Sequence, residues 1–344
     1  MKQAVLYKKL KSSAVQCTAC QHYCTMKRDE FGKCGVRRNE DGELKLLTYG
    51  RPSAVNIDPI EKKPLYHFLP GTAIFSLGTA GCNFTCGFCQ NWDLSQTVKG
   101  AAQKGEPAVS ELPGGDIVTP EDAVAYVKKN GIPSIAYTYN EPTIFIEYAH
   151  DIGVLARAEG IRNVFVSNGF MTKEARVLLA DMLDAINIDL KSYSDVFYKK
   201  NCGARLDPVL ENIRELKKAG VWVEVTTLLV PEENDSDEEL RAIARFLKGV
   251  DQEIPWHISR FHPDYRMADR SATAEKDLLR AYGIGKKEGL QHVYIGNLPS
   301  AGYESTVCPS CGAVAVERSG FEVNNKTANG ICRKCNYQLK GIWI

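Results

Sequence analysis

The sequence predicts an α/β fold: an incomplete, TIM-like (β/α)6 barrel over residues 71–300, preceded by a cysteine-rich region (1–70) and followed by a zinc-ribbon-like tail (301–344). Three observations carry this. Short apolar runs rich in β-branched residues alternate with longer amphipathic runs over 71–300, the pattern of βα units around a parallel sheet. Helix start and stop signals fall between those runs. Finally, eleven of the twelve cysteines gather into three groups, and two of these groups lie outside the alternating region.

Strands are expected at 73–79, 134–139, 163–167, 184–190, 222–230 and 256–260, with a further one at 292–296. Between them, Thr119-Pro120-Glu121-Asp122 supplies an N-cap, a first-turn proline and early acids. Ser236-x-x-Glu239 offers a capping box, and Lys217-Lys218-Ala219-Gly220 closes a helix with cations and glycine. Residues 97–118, rich in glycine and proline, read as a long loop, either a lid or a surface insertion.

Cysteines grouped in this way in a chain of 344 residues point to metal binding in a reducing compartment, not to a disulfide framework. The N-terminus lacks a signal-peptide apolar core and no run is long enough to span a bilayer, so a cytoplasmic location is expected. With 43 basic and 42 acidic residues, the charge balance argues against a broadly electrostatic nucleic-acid binder.

Chemistry concentrates at Cys82, Cys86 and Cys89, within Gly-Cys-Asn-Phe-Thr-Cys-Gly-Phe-Cys-Gln-Asn-Trp-Asp. A [4Fe-4S] cube normally takes four cysteines, so three thiolates leave one iron open to a ligand. A structural zinc site wants four ligands, and no His or Cys follows closely enough to complete one. The Cys-x3-Cys-x2-Cys spacing, with Phe88 before the last cysteine, resembles the signature of the radical S-adenosylmethionine (SAM) superfamily. The resemblance implies that SAM fills the open iron, that the cluster cleaves it reductively to a 5'-deoxyadenosyl radical, and that this radical abstracts hydrogen from a substrate. It also implies that Phe88 packs against adenine.

Polar residues at the ends of the expected strands are the other candidates, since parallel barrels build their sites there. Where the superfamily usually carries Gly-Gly-Glu, this chain has Tyr139-Asn140-Glu141. Glu141 matches the acid, and Asn140 either substitutes a side-chain amide or caps the helix beginning near Pro142. Ser167-Asn168 and Asp189-Leu190-Lys191 resemble Thr-Asn-Gly and Asp-Leu-Lys of the activating enzymes for glycyl-radical proteins, which implies SAM contacts at Ser167, Asn168, Asp189 and Lys191. For Asp189 and Lys191 an internal ion pair is the competing reading. His257 is the implied contact to the nucleoside, against an ordinary core histidine. Asn91 and Asp93 match the Cys-x-Asn-x-Asp continuation of the same enzymes.

Two further cysteine sets flank this core. Cys308, Cys311, Cys332 and Cys335 form two knuckles with the spacing of a four-cysteine zinc ribbon, whose metal would supply the tail's folding energy. Cys17, Cys20, Cys24 and Cys34, with His22 as a spare ligand, suit either zinc or a second iron-sulfur cluster.

Taken together, these cysteine sets, Lys63-Pro64-Leu65-Tyr66-His67-Phe68 and Tyr139-Asn140-Glu141-Pro142 resemble the radical SAM member of the AmmeMemoRadiSam system, a group related to pyruvate formate-lyase activating enzymes. This resemblance implies an electron donor such as flavodoxin or ferredoxin and company with Memo-type and AMMECR-type proteins. A protein or peptide is the leading substrate class, with glycyl-radical activation one version. RNA modification and a non-enzymatic iron-sulfur or zinc scaffold are the alternatives.

Overall fold

Each of the seven expected strands forms, within two residues of its expected ends, in a computed structural model that describes residues 1–103, 117–298 and 302–343. The chain divides into two compact units, one of residues 1–57, 74–184 and 201–204, the other of 58–73, 185–200 and 205–344.

In the first unit β1 (Ala73–Gly78), β2 (Ser134–Tyr137) and β3 (Arg162–Ser167) are parallel neighbours, with Phe75 opposite Ile135 and Ile135 opposite Asn163. All four residues of β2 are buried, as expected of a parallel strand covered on both faces. Among the described residues this unit includes the helices α1 (Trp92–Gln103), α2 (Pro120–Lys129), α3 (Ile146–Ala158) and α4 (Lys173–Leu179). Thr119 caps α2 as read from the sequence, with Thr119 Oγ1 accepting from Asp122 N at 3.1 Å and Asp122 Oδ2 accepting from Thr119 N at 3.2 Å.

Part of the expected loop over 97–118 is helical instead. Residues 97–103 continue α1, because Val98 and Lys99 are buried while Gly100 sits where a side chain would meet nothing. Residues 104–116, where a lid was expected, lie outside the described residues.

The cysteine-rich segment joins this unit through small antiparallel sheets, including Tyr7–Lys9, Val15–Cys17 and Thr25–Met26. Its miniature core consists of Ala4, Val15, Cys17, Ala19, Met26 and Leu44. Gln21 N donates to Phe170 O at 3.0 Å and Thr172 N to Ala19 O at 3.1 Å, which ties the segment to the loop after β3.

In the second unit β4 (Ala185–Asp189), β5 (Trp222–Leu229), β6 (Trp256–Arg260) and β7 (Val293–Gly296) run parallel, with α5 (Asp207–Lys218), α6 (Asp237–Val250) and α7 (Glu275–Glu288). Only half of the expected capping box at α6 is made. Ser236 Oγ accepts from Glu239 N at 3.2 Å, but the Glu239 carboxylate accepts from Ser192 Oγ and Tyr193 N and so fixes the turn after β4 instead.

The tail is a three-stranded antiparallel sheet of Thr306–Val307, Val314–Ser319 and Glu322–Asn325, with a small core of Cys308, Ala315, Cys332 and Leu339. So few apolar groups cannot fold it unaided. A buried polar chain anchors it. Arg318 Nη1 donates to Thr306 Oγ1 (2.8 Å) and Nη2 to Tyr66 O (2.7 Å); Thr306 Oγ1 and the Tyr294 hydroxyl lie 2.9 Å apart. The Tyr294 hydroxyl meets His67 Nε2 (2.7 Å), and His67 Nδ1 meets Lys340 O (2.9 Å). Because a carbonyl only accepts, His67 carries its proton on Nδ1 and takes the Tyr294 hydrogen on Nε2. No helix among the described residues is long and apolar enough to cross a membrane.

Burial holds the pKa of His67 well below the ordinary imidazole value, with neighbouring His292 acting in the same direction, and burial and Lys286 bring that of His292 to about 4. The two rings stand 4.3 Å apart between centroids. A histidine kept neutral in the fold stabilises it fully above the unfolded pKa of about 6.5, and that stability is lost as pH falls towards the folded value. Below pH 6.5, stability should therefore decline by about 1.4 kcal/mol per pH unit for each of these two histidines. Urea denaturation of the wild type and of His292→Gln at matched pH between 6.5 and 4 checks this, with the shallower decline expected for the variant.

Candidate functional site

Within the first unit, the loop between β1 and α1 carries all three central cysteines, and its backbone is fixed at several points. Thr85 N donates to Cys202 O (2.9 Å), Gly87 N to Asn201 O (3.1 Å) and Cys89 N to Cys86 O (3.3 Å). Cys86 and Phe88 are buried. Glycine is required on the approach to this loop: at Gly78 a Cβ would lie 2.4 Å from Thr138 O, and at Gly81 (φ 91°) 2.5 Å from Cys34 O.

The side chains around the triplet form one hydrogen-bonded system. Phe84 N approaches Cys82 Sγ at 3.4 Å, and Cys89 Sγ lies 3.1 Å from Ser95 Oγ. Asn168 Nδ2 donates to Asn83 Oδ1 (2.7 Å), so the residue after Cys82 is tied to the end of β3. Lys99 reaches back from α1 to Phe84 O and to Gln96 Oε1. Burial lowers the Lys99 pKa, opposed by the Cys82, Cys34, Cys86 and Cys89 thiols; burial raises that of Cys82, opposed by Lys99.

Glu141 is the hub of the adjoining strand ends. Its Oε1 accepts from Thr143 N (3.0 Å), Thr143 Oγ1 (2.5 Å) and Ser167 Oγ (2.9 Å), and its Oε2 accepts from Asn168 N (2.7 Å). Burial raises its pKa, and those hydrogen bonds work against the rise. Glu141, not Asn140, caps the short helix Pro142–Phe145. Asn140 Nδ2 donates to Gly81 O (2.8 Å), while Asn140 Oδ1 and Asn83 Nδ2 are buried with no partner. Unpartnered buried polar atoms are costly in a finished protein and fit a site that a ligand completes. Tyr139, which stands where a glycine is expected, has φ 70°, and Asn140 N closes a tight turn onto Thr138 O (2.9 Å). Strain of this kind persists where surrounding contacts over-determine it, and here Asn91 Nδ2 grips Tyr139 O at 2.8 Å.

Of the residues expected from the sequence, Phe88, Asn140, Glu141, Ser167 and Asn168 lie in the first unit with Cys82, Cys86 and Cys89. The sequence does not single out Asn83, which lies within the triplet, or Ser95 and Lys99, which follow it; their partners show only once the chain is folded. The remaining candidates belong to the second unit. Lys191 Nζ pairs with Asp189 Oδ2 at 2.9 Å. His257 Nε2 lies 2.7 Å from Glu224 Oε2, a carboxylate that also accepts from Tyr66 N, His67 N and Trp222 Nε1. His257 lines a cavity of about 1380 Å³ together with Tyr66, Thr226, Ser259 and Glu61, and Glu61 Oε2 is a further buried oxygen with no partner.

The two outer cysteine sets differ in spacing. In the tail, Cys308 and Cys335 sulfurs are 3.6 Å apart and those of Cys311 and Cys332 3.7 Å, and all four lie within 4.8 Å of one another. Four thiolates about 2.3 Å from one tetrahedral ion stand about 3.8 Å apart, so this set fits a single metal ion. Among the described residues no other set of three or more such ligands comes within 4.8 Å. His22, the spare ligand of the N-terminal set, has Nε2 2.9 Å from Asn83 O and Nδ1 3.5 Å from Lys33 Nζ.

A family model of the radical SAM superfamily matches residues 76–247, which include the triplet and the strand ends just described. The chain belongs to the radical SAM superfamily. Its α/β fold with a partial barrel-like parallel sheet is the fold of that superfamily, whose members bind an iron-sulfur cluster and SAM. The chain is similar to an uncharacterized protein of Methanocaldococcus jannaschii, MJ0808, with 42% identity over 98% of this chain and 99% of that one. It is also similar to the pyruvate formate-lyase-activating enzyme of Clostridium pasteurianum, with 21% identity over 56% of this chain and 81% of that one. Among solved structures it resembles a radical SAM methyltransferase from Sphaerobacter thermophilus, with 17% identity, a TM-score of 0.49, and 66% and 67% of the two chains covered. Three thiols on one loop, next to two unpartnered buried amide atoms, fit the cluster and nucleotide of this superfamily.

Replacing Glu141 by leucine strands four buried donors, at Thr143 N, Thr143 Oγ1, Asn168 N and Ser167 Oγ, and should cost about 3 kcal/mol or more in urea denaturation. Glu141→Gln, which keeps an acceptor oxygen there, should cost less than half of that.

Proposed function

We propose that this radical SAM protein cleaves SAM reductively at a [4Fe-4S] cluster held by Cys82, Cys86 and Cys89, and takes a hydrogen atom from a protein or peptide carbon. The observation that carries the reading is the three-thiol loop, which leaves one corner of such a cluster without a protein ligand. When bound, the cluster and SAM supply the electron and the carbon-centred radical, and the protein supplies position and exclusion of water. Asn140 Oδ1, unpartnered and buried, is suited to accept from the methionine ammonium, and Asn83 Nδ2 to donate to the carboxylate. Glu141, Ser167 and Asn168 hold those amides in place from behind. Phe88 is assigned to the adenine.

We further infer membership of the AmmeMemoRadiSam group, with an electron donor of the flavodoxin or ferredoxin type and Memo-type and AMMECR-type partners. The near full-length match to the M. jannaschii protein, which extends through both outer cysteine sets, supports a distinct group of this architecture. Activation of a glycyl-radical protein is the favoured version, supported by similarity to the pyruvate formate-lyase-activating enzyme and to an isethionate sulfite-lyase activating enzyme. Zinc is proposed for the tail, on the fit of its four sulfurs to one tetrahedral ion.

Anaerobically reconstituted protein, reduced with dithionite in the presence of SAM, should release 5'-deoxyadenosine, and Cys86→Ala should release none. Product-free reaction mixtures with an intact wild-type cluster would favour the non-enzymatic scaffold instead. Asn140→Ala should lower SAM affinity by about tenfold, as expected for one lost hydrogen bond to a charged group.

A further inference from the structure

We propose that Cys17, Cys20, Cys24 and Cys34 hold a second iron-sulfur cluster, ligated at all four corners by this chain, and not a zinc ion. The four residues line one cavity in the first unit, with Arg37 and Ile144 among its other walls. Cys17 and Cys34 are buried and the other two partly so.

Burial pushes all four thiols up, and backbone N–H groups at each sulfur work against that rise: that of Ala19 at Cys17, of His22 at Cys20, of Lys33 at Cys24, and of Val36 and Arg37 at Cys34. Hydrogen bonds of this kind are a principal lever on the potential of iron-sulfur centres. The Arg37 guanidinium, itself buried and ion-paired to Glu147, adds positive charge beside Cys17 and Cys34.

Spacing decides between the metals, because one zinc ion pulls its ligands to about 3.8 Å from one another. The tail cysteines already stand at that separation, whereas no three ligand atoms from the N-terminal set, His22 included, come within 4.8 Å of one another. The same chain therefore holds cysteines in two distinct arrangements. In a cube each cysteine binds its own iron and sulfides fill the space between, so the thiolates converge on one cavity without approaching one another. Cys82, Cys86 and Cys89 are likewise absent from the closely spaced ligand groups among the described residues. Four cysteines saturate a [4Fe-4S] cube, so this centre has no open iron for SAM or substrate.

The N-terminal set is also coupled to the central loop. The Cys34 carbonyl packs against Gly81, adjacent to Cys82, with no room for a Cβ between them. The buried Lys99 ammonium feels Cys34 as well as Cys82, Cys86 and Cys89. One cation thus lies in the field of both cysteine sets.

The test uses the full-length chain carrying Cys82→Ala, Cys86→Ala and Cys89→Ala together, reconstituted anaerobically with iron and sulfide. About four iron, four sulfide and one zinc per chain are expected, with a reduced-state EPR signal that SAM does not perturb. About two zinc and no iron would overturn the proposal. Should the triple variant fail to fold, the wild type decides: about eight iron and one zinc support the second cluster, and about four iron and two zinc contradict it. Cys20→Ser with Cys24→Ser should then lower the iron to about four while keeping a signal that SAM shifts. The triple variant lacks the central cysteines, so its result is independent of whether the central triplet cleaves SAM.

Discussion

The carboxylate of Glu141, buried where β2 ends, joins the strand ends of the first unit to the cysteine loop. It collects Thr143, Ser167 and Asn168, and Asn168 in turn grips Asn83, the residue after Cys82. A buried charge without hydrogen bonds is prohibitively costly, so the loops have little freedom to move away from it. From this constraint the rest of the site follows. The cysteine loop has one position relative to β2 and β3, Tyr139 is kept in a conformation that glycine would adopt more readily, and the Asn140 and Asn83 amides each retain an atom with no protein partner. Atoms left over in this way are what a preorganised binding site requires.

Much of this was legible in the sequence. The strands announced themselves because β-branched runs such as Asn163-Val164-Phe165-Val166 are buried on both faces of a parallel sheet, and Thr119-Pro120 marked its helix through local chemistry alone. The central triplet was legible for the same reason: its spacing is confined to eight residues. What the sequence concealed was partnership across long separations. Nothing near Asn83 indicates Asn168, 85 residues away, and Glu239 reads as half of a capping box until the turn at Ser192 arrives to claim it. Lys99 lay in a stretch whose glycines suggested a loop, yet burial of Val98 and Lys99 carries the helix through it. Asp189 and Lys191 share a face, as the strand period requires, and are paired with each other.

The chain handles sulfur in two ways. Its tail sets four cysteines at the separation of one tetrahedral ion, and buries Arg318, Tyr294 and His67 to anchor the sheet that carries them. Its first unit spreads cysteines more widely, with backbone N–H groups aimed at the sulfurs and a buried lysine close by. Closed coordination favours folding, whereas an incomplete set leaves a metal corner available to a ligand.

That available corner is the centre of the functional account, and electron-nuclear double resonance addresses it directly. Reduced protein would be mixed with SAM labelled in its amino nitrogen and carboxylate oxygens. Hyperfine coupling of both labels to the SAM-responsive cluster signal, lost together with that signal in Cys82→Ala, is the result expected. An intact cluster that shows coupling to neither label, with a spectrum indifferent to SAM, would contradict the account.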